Sequence, residues 1–326
     1  MKQLTVKEND VGNRIDKFIS KIFPNIPQSL IYKYIRKKRI KVNNKRADIA
    51  QKVLLGDVIS LYINDDLLEK DNSKNNVFKN LPTNLDIVFE DENIILVNKK
   101  PGLLVHPDNN KTSDCLINRI KNYLFKKNEY NPENENSFAP SLVNRIDRNT
   151  SGLVIAAKNA KTLKVLNEKM KLREIKKSYI CIICDKMPKK SGTLTGYLEK
   201  NESENKVYIY SSKPKKIKNF KTIITGYDVI SSKNDFSLLN INLLTGRTHQ
   251  IRAHLSSIGK PLLGDSKYGK NAINRQFKYK YQALCSYRLE FKFEASADHL
   301  EYLNNQKFEI PLEKIWFVKD FYDNLT

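Results

Sequence analysis

Asn144-Arg145-Ile146-Asp147-Arg148-Asn149-Thr150-Ser151-Gly152-Leu153 sets one acid, Asp147, between two arginines and just ahead of a Thr-Ser-Gly turn. Leu142 and Val143 precede it, and the apolar run from Leu153 to Ala157 follows. The pattern predicts a strand, a sharp polar loop and a second strand. Such a scaffold presents one carboxylate in a cationic setting, which favours the charged form and fixes its direction. The plainer reading of an Asp beside Arg on a turn is an ordinary surface ion pair.

The company this loop keeps favours the first reading. Upstream lies Val97-Asn98-Lys99-Lys100-Pro101-Gly102-Leu103-Leu104-Val105-His106-Pro107. Downstream lie Leu244-Thr245-Gly246-Arg247-Thr248-His249-Gln250-Ile251-Arg252-Ala253-His254, then Gly259-Lys260-Pro261 and Gly264-Asp265-Ser266-Lys267-Tyr268-Gly269. Long blocks in this order, over about residues 85 to 290, resemble the RluA family of RNA pseudouridine synthases. Within it the likeness is to the RluC and RluD kind, which modify large-subunit ribosomal RNA.

The composition agrees with a polyanion partner. The 326 residues carry 58 Lys+Arg against 36 Asp+Glu, a formal net charge of +22. A globular chain this basic points first to nucleic acid and second to an acidic membrane surface. No apolar run approaches the roughly 20 residues that span a bilayer, and the start, Met1 to Asp10, has no signal-peptide core. The expectation is a soluble cytoplasmic protein. The chain is also rich in Lys, Asn and Ile, a bias that inflates the lysine count, so charge alone does not name the partner. Of four cysteines, Cys181 and Cys184 form a Cys-x-x-Cys, but no second pair matches it and the setting Tyr179 to Cys184 reads as a buried strand. Core thiols are expected there and no metal site.

Residues 12 to 63 read as a separate small α+β domain. Ile15, Phe18, Ile19 and Ile22 recur at helical spacing, and Pro27 suits the first turn of a second helix. That helix turns Leu30, Ile31, Tyr34 and Ile35 inward and Lys33, Arg36 and Lys37 outward. Lys38, Arg39 and a short strand, Ile40 to Val42, follow, then an Asn43-Asn44 turn and a strand from Val58 to Ile63. Residues 1 to 63 hold 14 Lys+Arg and 5 Asp+Glu, clustered around Lys33 to Arg46. One basic helix and its hairpin suit a phosphate backbone; a merely solvated helix face is the alternative. Arg39-Ile40-Lys41-Val42-Asn43 and Leu55-Gly56-Asp57-Val58-Ile59 resemble the S-four RNA-binding module. Lys33, Arg36, Lys37, Arg39 and Arg46 are its candidate RNA contacts.

Residues 64 to 84 are polar and aperiodic and read as a flexible linker. Residues 125 to 140, with Pro132, Pro140 and many Asn and Glu, read as a surface loop. From residue 85 to 326 short strands and helices mix without regular alternation, which predicts α+β with mainly antiparallel sheet. The resemblance implies a mixed, largely antiparallel sheet with a central cleft for RNA.

The resemblance also implies roles. A pseudouridine synthase detaches uracil from ribose, rotates it and rejoins it through carbon 5. A carboxylate beside the anomeric carbon stabilises the developing charge or attacks it, with no metal or organic cofactor. Asp147 matches the catalytic acid, and Arg252 matches the arginine paired with it. Tyr179, in Lys177-Ser178-Tyr179, matches a tyrosine that stacks on the target base; its hydroxyl is a candidate for removing the carbon-5 proton. Ile251 matches an apolar pocket residue, and plain helix core is an equal reading. Arg145 matches an arginine that fills the space of the flipped base or grips phosphate, and a turn cap is its alternative. Arg247 and Lys99 are weaker phosphate candidates. His106, His249, His254 and His299 make no triad; His249 and His254 read as structural or RNA-contacting.

Asn144 departs from the family, which usually has His there; its amide still donates and accepts hydrogen bonds. Three functions stay open: a pseudouridine synthase on ribosomal or transfer RNA, a catalytically silent ribosome-assembly factor that binds RNA, and a DNA-binding regulator. The last rests on charge alone, since no helix-turn-helix or dimer signature is present. Nothing in the sequence demands more than a monomer.

Overall fold

In the computed structural model, residues 1–68, 77–108, 113–215, 219–323 and 325 are described. The chain divides into two compact units, residues 1–84 with 117–141 and 157–164, and residues 85–116 with 142–156 and 165–326.

In the first unit the helical spacing of apolar residues produces α1 (Ile15–Ile22) and α2 (Gln28–Arg36), capped at its start by Pro27. Their apolar faces close over a four-stranded antiparallel sheet ordered β1-β4-β2-β3. The strands are β1 (Lys2–Thr5), β2 (Ile40–Val42), β3 (Lys45–Arg46) and β4 (Val58–Leu61). β1 lies ahead of the expected start at residue 12: it pairs with β4, Leu4 opposite Ile59, and Leu4 joins the core. The expected linker is anchored on both described sides. Leu68 is buried in the small core, and Phe78 is buried and packs edge-on against Phe125. Residues 69–76, the middle of that expected linker, lie outside the described residues. The loop after α3 (Leu116–Lys126) is tied down by the buried carboxylate of Asp10, which accepts from Ser137 Oγ at 2.5 Å and Asn136 Nδ2 at 2.7 Å.

The second unit is built on an eleven-stranded sheet of the described residues. In chain order its strands are β5 (Ile87–Glu90), β6 (Ile94–Lys99), β7 (Ser141–Leu142), β8 (Ser151–Ala157), β9 (Ile175–Cys184), β10 (Ser191–Asn201), β11 (Lys206–Tyr210), β12 (Phe220–Lys233), β13 (Phe236–Leu243), β14 (Leu284–Phe291) and β15 (Lys307–Glu309). The main path runs β11-β10-β12-β13-β9-β14-β8-β6-β5, with β15 on β14 and β7 on β8. From β11 to β14 the pairings are antiparallel; β8 and β14 run parallel. That parallel contact needs Gly152: its φ is +112°, and a Cβ there would stand 2.2 Å from the carbonyl oxygen of Ser286. β8 is buried along its whole length, as its unbroken apolar run predicts. The remaining α-helices are α4 (Ala160–Lys171), α5 (Gln250–Ser257), α6 (Asn271–Gln276) and α7 (Trp316–Asp323). The mixed, mainly antiparallel α+β class read from the sequence is the class found. All four cysteines are free and buried, and Cys181 and Cys184, three apart on β9, point to opposite faces of the sheet. No helix among the described residues is long and apolar enough to cross a membrane.

Candidate active site

The strand–loop–strand read around Asp147 is β7, a polar loop and β8. Asn144 is the clip that shapes this loop. Its side-chain Oδ1 accepts the backbone N–H of Ile155 at 2.8 Å, and its Nδ2 donates to the carbonyl of Leu153 at 3.2 Å. A planar amide serves both bonds, so this residue acts on backbone geometry. A second strap crosses to the loop after β6. The amide of Gly102 donates to the carbonyl of Arg148 at 2.9 Å, and Arg148 Nε returns to the carbonyl of Gly102 at 3.0 Å.

Lys99 does not face solvent. It is fully buried, and its three N–H bonds go to the carbonyls of Lys100, Leu103 and Arg148, each at 2.9 Å. Burial pulls its pKa down to about 7. The expected phosphate contact is therefore replaced by a pin that holds the Pro101-Gly102 turn to the Asp147 loop.

Arg252 reaches Asp147 from α5. Its Nη1 donates to Asp147 Oδ2 at 2.8 Å, closing a pair of residues 105 apart in sequence. The opposite edge of the guanidinium forks onto Asp265, Nε to Oδ2 at 2.7 Å and Nη2 to Oδ1 at 2.9 Å. Asp265 is completely buried, and its Oδ1 also accepts the backbone N–H groups of Lys267 and Tyr268. Burial alone would push this carboxyl up; the bonds from Arg252 outweigh it and hold it below the usual carboxylate range. Burial likewise works against the Arg252 charge, and Asp265 with Asp147 holds it above its ordinary value. The bidentate Asp265–Arg252 pair thus aims a fixed cation at a carboxylate that remains a quarter exposed to the cleft.

The cleft beside Asp147 has a volume of about 540 Å³, within the range of small-ligand sites. Tyr179 on β9, Ile251 on α5, and Arg145 and Arg247 all line it. Tyr179 and Ile251 are buried in the wall, whereas Arg145 and Arg247 are exposed. Burial pushes the Tyr179 phenol up to about 12, so it is a neutral hydroxyl at physiological pH. That suits a stacking face and a hydrogen-bond donor better than a free phenolate base.

Two residues whose roles do not emerge from the sequence complete the site. His249 has left-handed backbone, φ 53°, at the entrance to α5; its Nδ1 lies 3.0 Å from Tyr268 Oη and its Nε2 4.0 Å from Asp147 Oδ2. Tyr268 also receives the Arg252 guanidinium over its ring, 5.2 Å from the centroid. The Gly-Asp-Ser-Lys-Tyr-Gly spacing was the available signal for Asp265 and Tyr268, but such a run reads as an exposed turn until its burial is known. His254 is apart from the cleft group: it is buried, with Nδ1 3.0 Å from Thr225 Oγ1, and burial lowers its pKa to about 4. Lys33, Arg36, Lys37, Arg39 and Arg46 belong to the first unit, and all are exposed. No group of three or more His, Cys, Asp or Glu that could hold a metal occurs among the described residues.

Residues 93–257, half of the chain, match the RNA pseudouridylate synthase family. The chain belongs to that family. Residues 13–59 match the S4 domain. An uncharacterized RNA pseudouridine synthase of Mycoplasma capricolum is 35% identical over 310 residues, covering 94% of this chain and 96% of the relative. A ribosomal large subunit pseudouridine synthase D of Blochmanniella floridana is 31% identical over 299 residues, covering 90% of this chain and 88% of the relative. Among solved structures, human RNA pseudouridylate synthase domain containing 4 superposes with a TM-score of 0.56 at 20% identity, over 72% of this chain and 91% of that one, a likeness of fold. The chain is thus an RNA pseudouridine synthase, an isomerase with an RNA-binding S4 domain ahead of its catalytic region.

Proposed function

We propose that this synthase isomerises specific uridines in structured RNA of the large ribosomal subunit, with Asp147 as the acting carboxylate. The observation that carries the reading is the 2.8 Å bond that aims Arg252 at Asp147 on the wall of a cleft also lined by Tyr179. The target base leaves its stack and enters this cleft, where the Tyr179 ring supports the flat uracil. Asp147 Oδ2 is committed to Arg252, and among the described residues no donor reaches Oδ1, the oxygen left for the anomeric carbon. As the glycosidic bond breaks, the carboxylate stabilises or captures the sugar. Ile251 closes the apolar side, and the exposed Arg145 and Arg247 grip phosphate or fill the vacated stack.

In this reading residues 85–326 form the catalytic domain and residues 12–63 the RNA-binding domain, joined through 64–84. Lys33, Arg36, Lys37, Arg39 and Arg46 contact the RNA backbone. The ribosomal target is favoured by the names of relatives such as that of Blochmanniella floridana. The protein works as a cytoplasmic monomer on RNA, without a cofactor.

A carbodiimide-based pseudouridine map of ribosomal and transfer RNA tests this, in cells lacking the protein and complemented with wild type or Asp147→Ala. The expected result is loss of discrete large-subunit sites, restored by wild type alone. Sites in transfer RNA would move the substrate; an unchanged map would leave an RNA-binding factor without this activity.

A further inference from the structure

The hydrogen-bond chain around His249 places a second substrate-facing group in the cleft. The backbone N–H of Val207 donates to Tyr268 Oη at 2.9 Å. With one acceptor site of that oxygen filled, its single proton is available to the neighbour 3.0 Å away, His249 Nδ1. An imidazole that accepts at Nδ1 carries its proton at Nε2. Nε2 is 4.0 Å from Asp147 Oδ2, too far for a direct hydrogen bond. The gap fits an oxygen held between donor and carboxylate.

His249 takes a left-handed backbone, φ 53°, a region uncommon outside glycine but one that His adopts more readily than most residues. Gln250 fixes the turn beside it. Its buried amide accepts from Thr245 Oγ1 at 2.9 Å and the Arg247 N–H at 3.1 Å, and donates to the Ile224 carbonyl and Thr225 Oγ1. Burial keeps the ring neutral, with Asp147 opposing and Arg252 and Lys267 reinforcing that effect.

We infer that His249 binds the ribose 2′-hydroxyl of the target uridine through Nε2–H, with Tyr268 as the positioning residue that sets the tautomer. This rests on the assignment of Asp147 as the group beside the anomeric carbon. The ribose oxygen on the neighbouring carbon is the 2′-hydroxyl, which both donates and accepts. It can therefore bridge an N–H donor and a carboxylate, and it is the group by which a site tells RNA from DNA.

The test pairs the protein change with a substrate change. Two RNAs spanning one mapped site would carry ribose or 2′-deoxyribose at the target uridine, and turnover would be measured with wild type, His249→Leu, His249→Gln and Asp147→Ala. On the ribose substrate His249→Leu should lower kcat about ten-fold, the scale of one lost hydrogen bond in a site, and His249→Gln, which restores an N–H, should recover part of it. On the deoxy substrate wild type and His249→Leu should be equally slow. An equal loss on both substrates would mean that His249 acts on phosphate or on the fold, and would overturn the inference. Asp147→Ala separates the two levels: if it stays active, the catalytic reading fails. If it is dead while His249 variants are unaffected, only the present inference fails. Long-range nitrogen–proton NMR on the full chain, with His249→Gln for assignment, gives a readout independent of turnover. Wild type should show the Nε2-protonated ring and Tyr268→Phe a mixture; an Nδ1-protonated ring in wild type would also overturn the inference.

Discussion

The two units handle positive charge in opposite ways. In the larger one the decisive cation, Arg252, is buried, forked onto Asp265 and stacked on Tyr268, so its direction is set before any ligand arrives. In the smaller one Lys33, Arg36, Lys37, Arg39 and Arg46 all reach into solvent from a helix, its exit and a two-residue strand. Fixed charge in a low-dielectric wall acts on the reacting centre, because it needs no reorganisation when charge develops. Solvated charge on flexible stems acts on encounter and affinity, and it weakens with salt. On the proposed function, turnover belongs to one unit and much of RNA capture to the other.

The largest effect that could break this division is at Asp147. Asp147→Ala should lower kcat by roughly 10⁴-fold or more, with RNA affinity changed less than about three-fold. Single-turnover assays beside a binding titration check it, and a parallel fall in affinity would show that the carboxylate serves capture as well. Next is Asp265→Asn, which leaves shape and removes a buried charge. Loss of one partner of a buried pair costs about 3–5 kcal/mol, so the urea midpoint should fall clearly. Turnover should fall about a hundred-fold in the protein that stays folded, because Arg252 loses its anchor. Unchanged turnover would mean that Asp147 and the α5 backbone alone orient Arg252.

This difference also explains what sequence could and could not disclose. Asp147 and Arg252 stand in long local motifs, and the loop between two apolar strands is legible from alternation and turn residues. Lys99 misleads because a lysine in a motif reads as solvent-facing, while its burial depends on three carbonyls from two separated loops. Asn144 looks like a chemical neighbour of the acid, yet its amide spans to Leu153 and Ile155. Asp265 is hidden in the same way, since a Gly-Asp-Ser run carries no mark of burial. Helices α1 and α2 are plain from their periodicity, whereas β1 holds a single core side chain, Leu4, and exists through its pairing with the distant β4. The long strands β10 and β12 are illegible as well; their exposed, polar-rich faces give little hydrophobic alternation.

A smaller effect is expected from the basic face. The triple change Lys33→Gln, Arg36→Gln and Arg39→Gln should leave kcat near wild type and weaken RNA binding. The slope of log affinity against log salt should drop by about 0.7–0.9 for each phosphate that the variant no longer neutralises. Titrations at several salt concentrations measure it. An unaltered slope would show that these residues are only a solvated face, and would move capture to the cleft arginines.

The smallest effect separates the units by acid. All four histidines lie at or beyond residue 106, outside residues 12–63, and His254 in the larger unit is lowered by burial to about 4. A group with a folded pKa below its unfolded one, here near 6.5, binds more protons when unfolded at intermediate pH. Its stabilising contribution is complete above about 6.5 and declines as pH falls towards 4, by at most about 1.4 kcal/mol per pH unit. His249, also lowered by burial, acts in the same direction. In the smaller unit the corresponding group is Asp16: burial opposes its charge, but Arg14 and Tyr32 outweigh it and hold the carboxyl below 3.8. Its contribution is present above 3.8 and is lost only as pH falls below that value. The single tryptophan, Trp316, lies in the larger unit. Urea midpoints read by Trp316 fluorescence should therefore fall between pH 6.5 and 4.5, while amide signals of residues 12–63 hold their midpoint until the pH drops below about 4. His254→Asn should flatten the tryptophan curve in that window. If it does not, burial of His254 is relieved by local opening, and the wall behind the candidate site is less rigid than the Arg252–Asp265 pair in front of it.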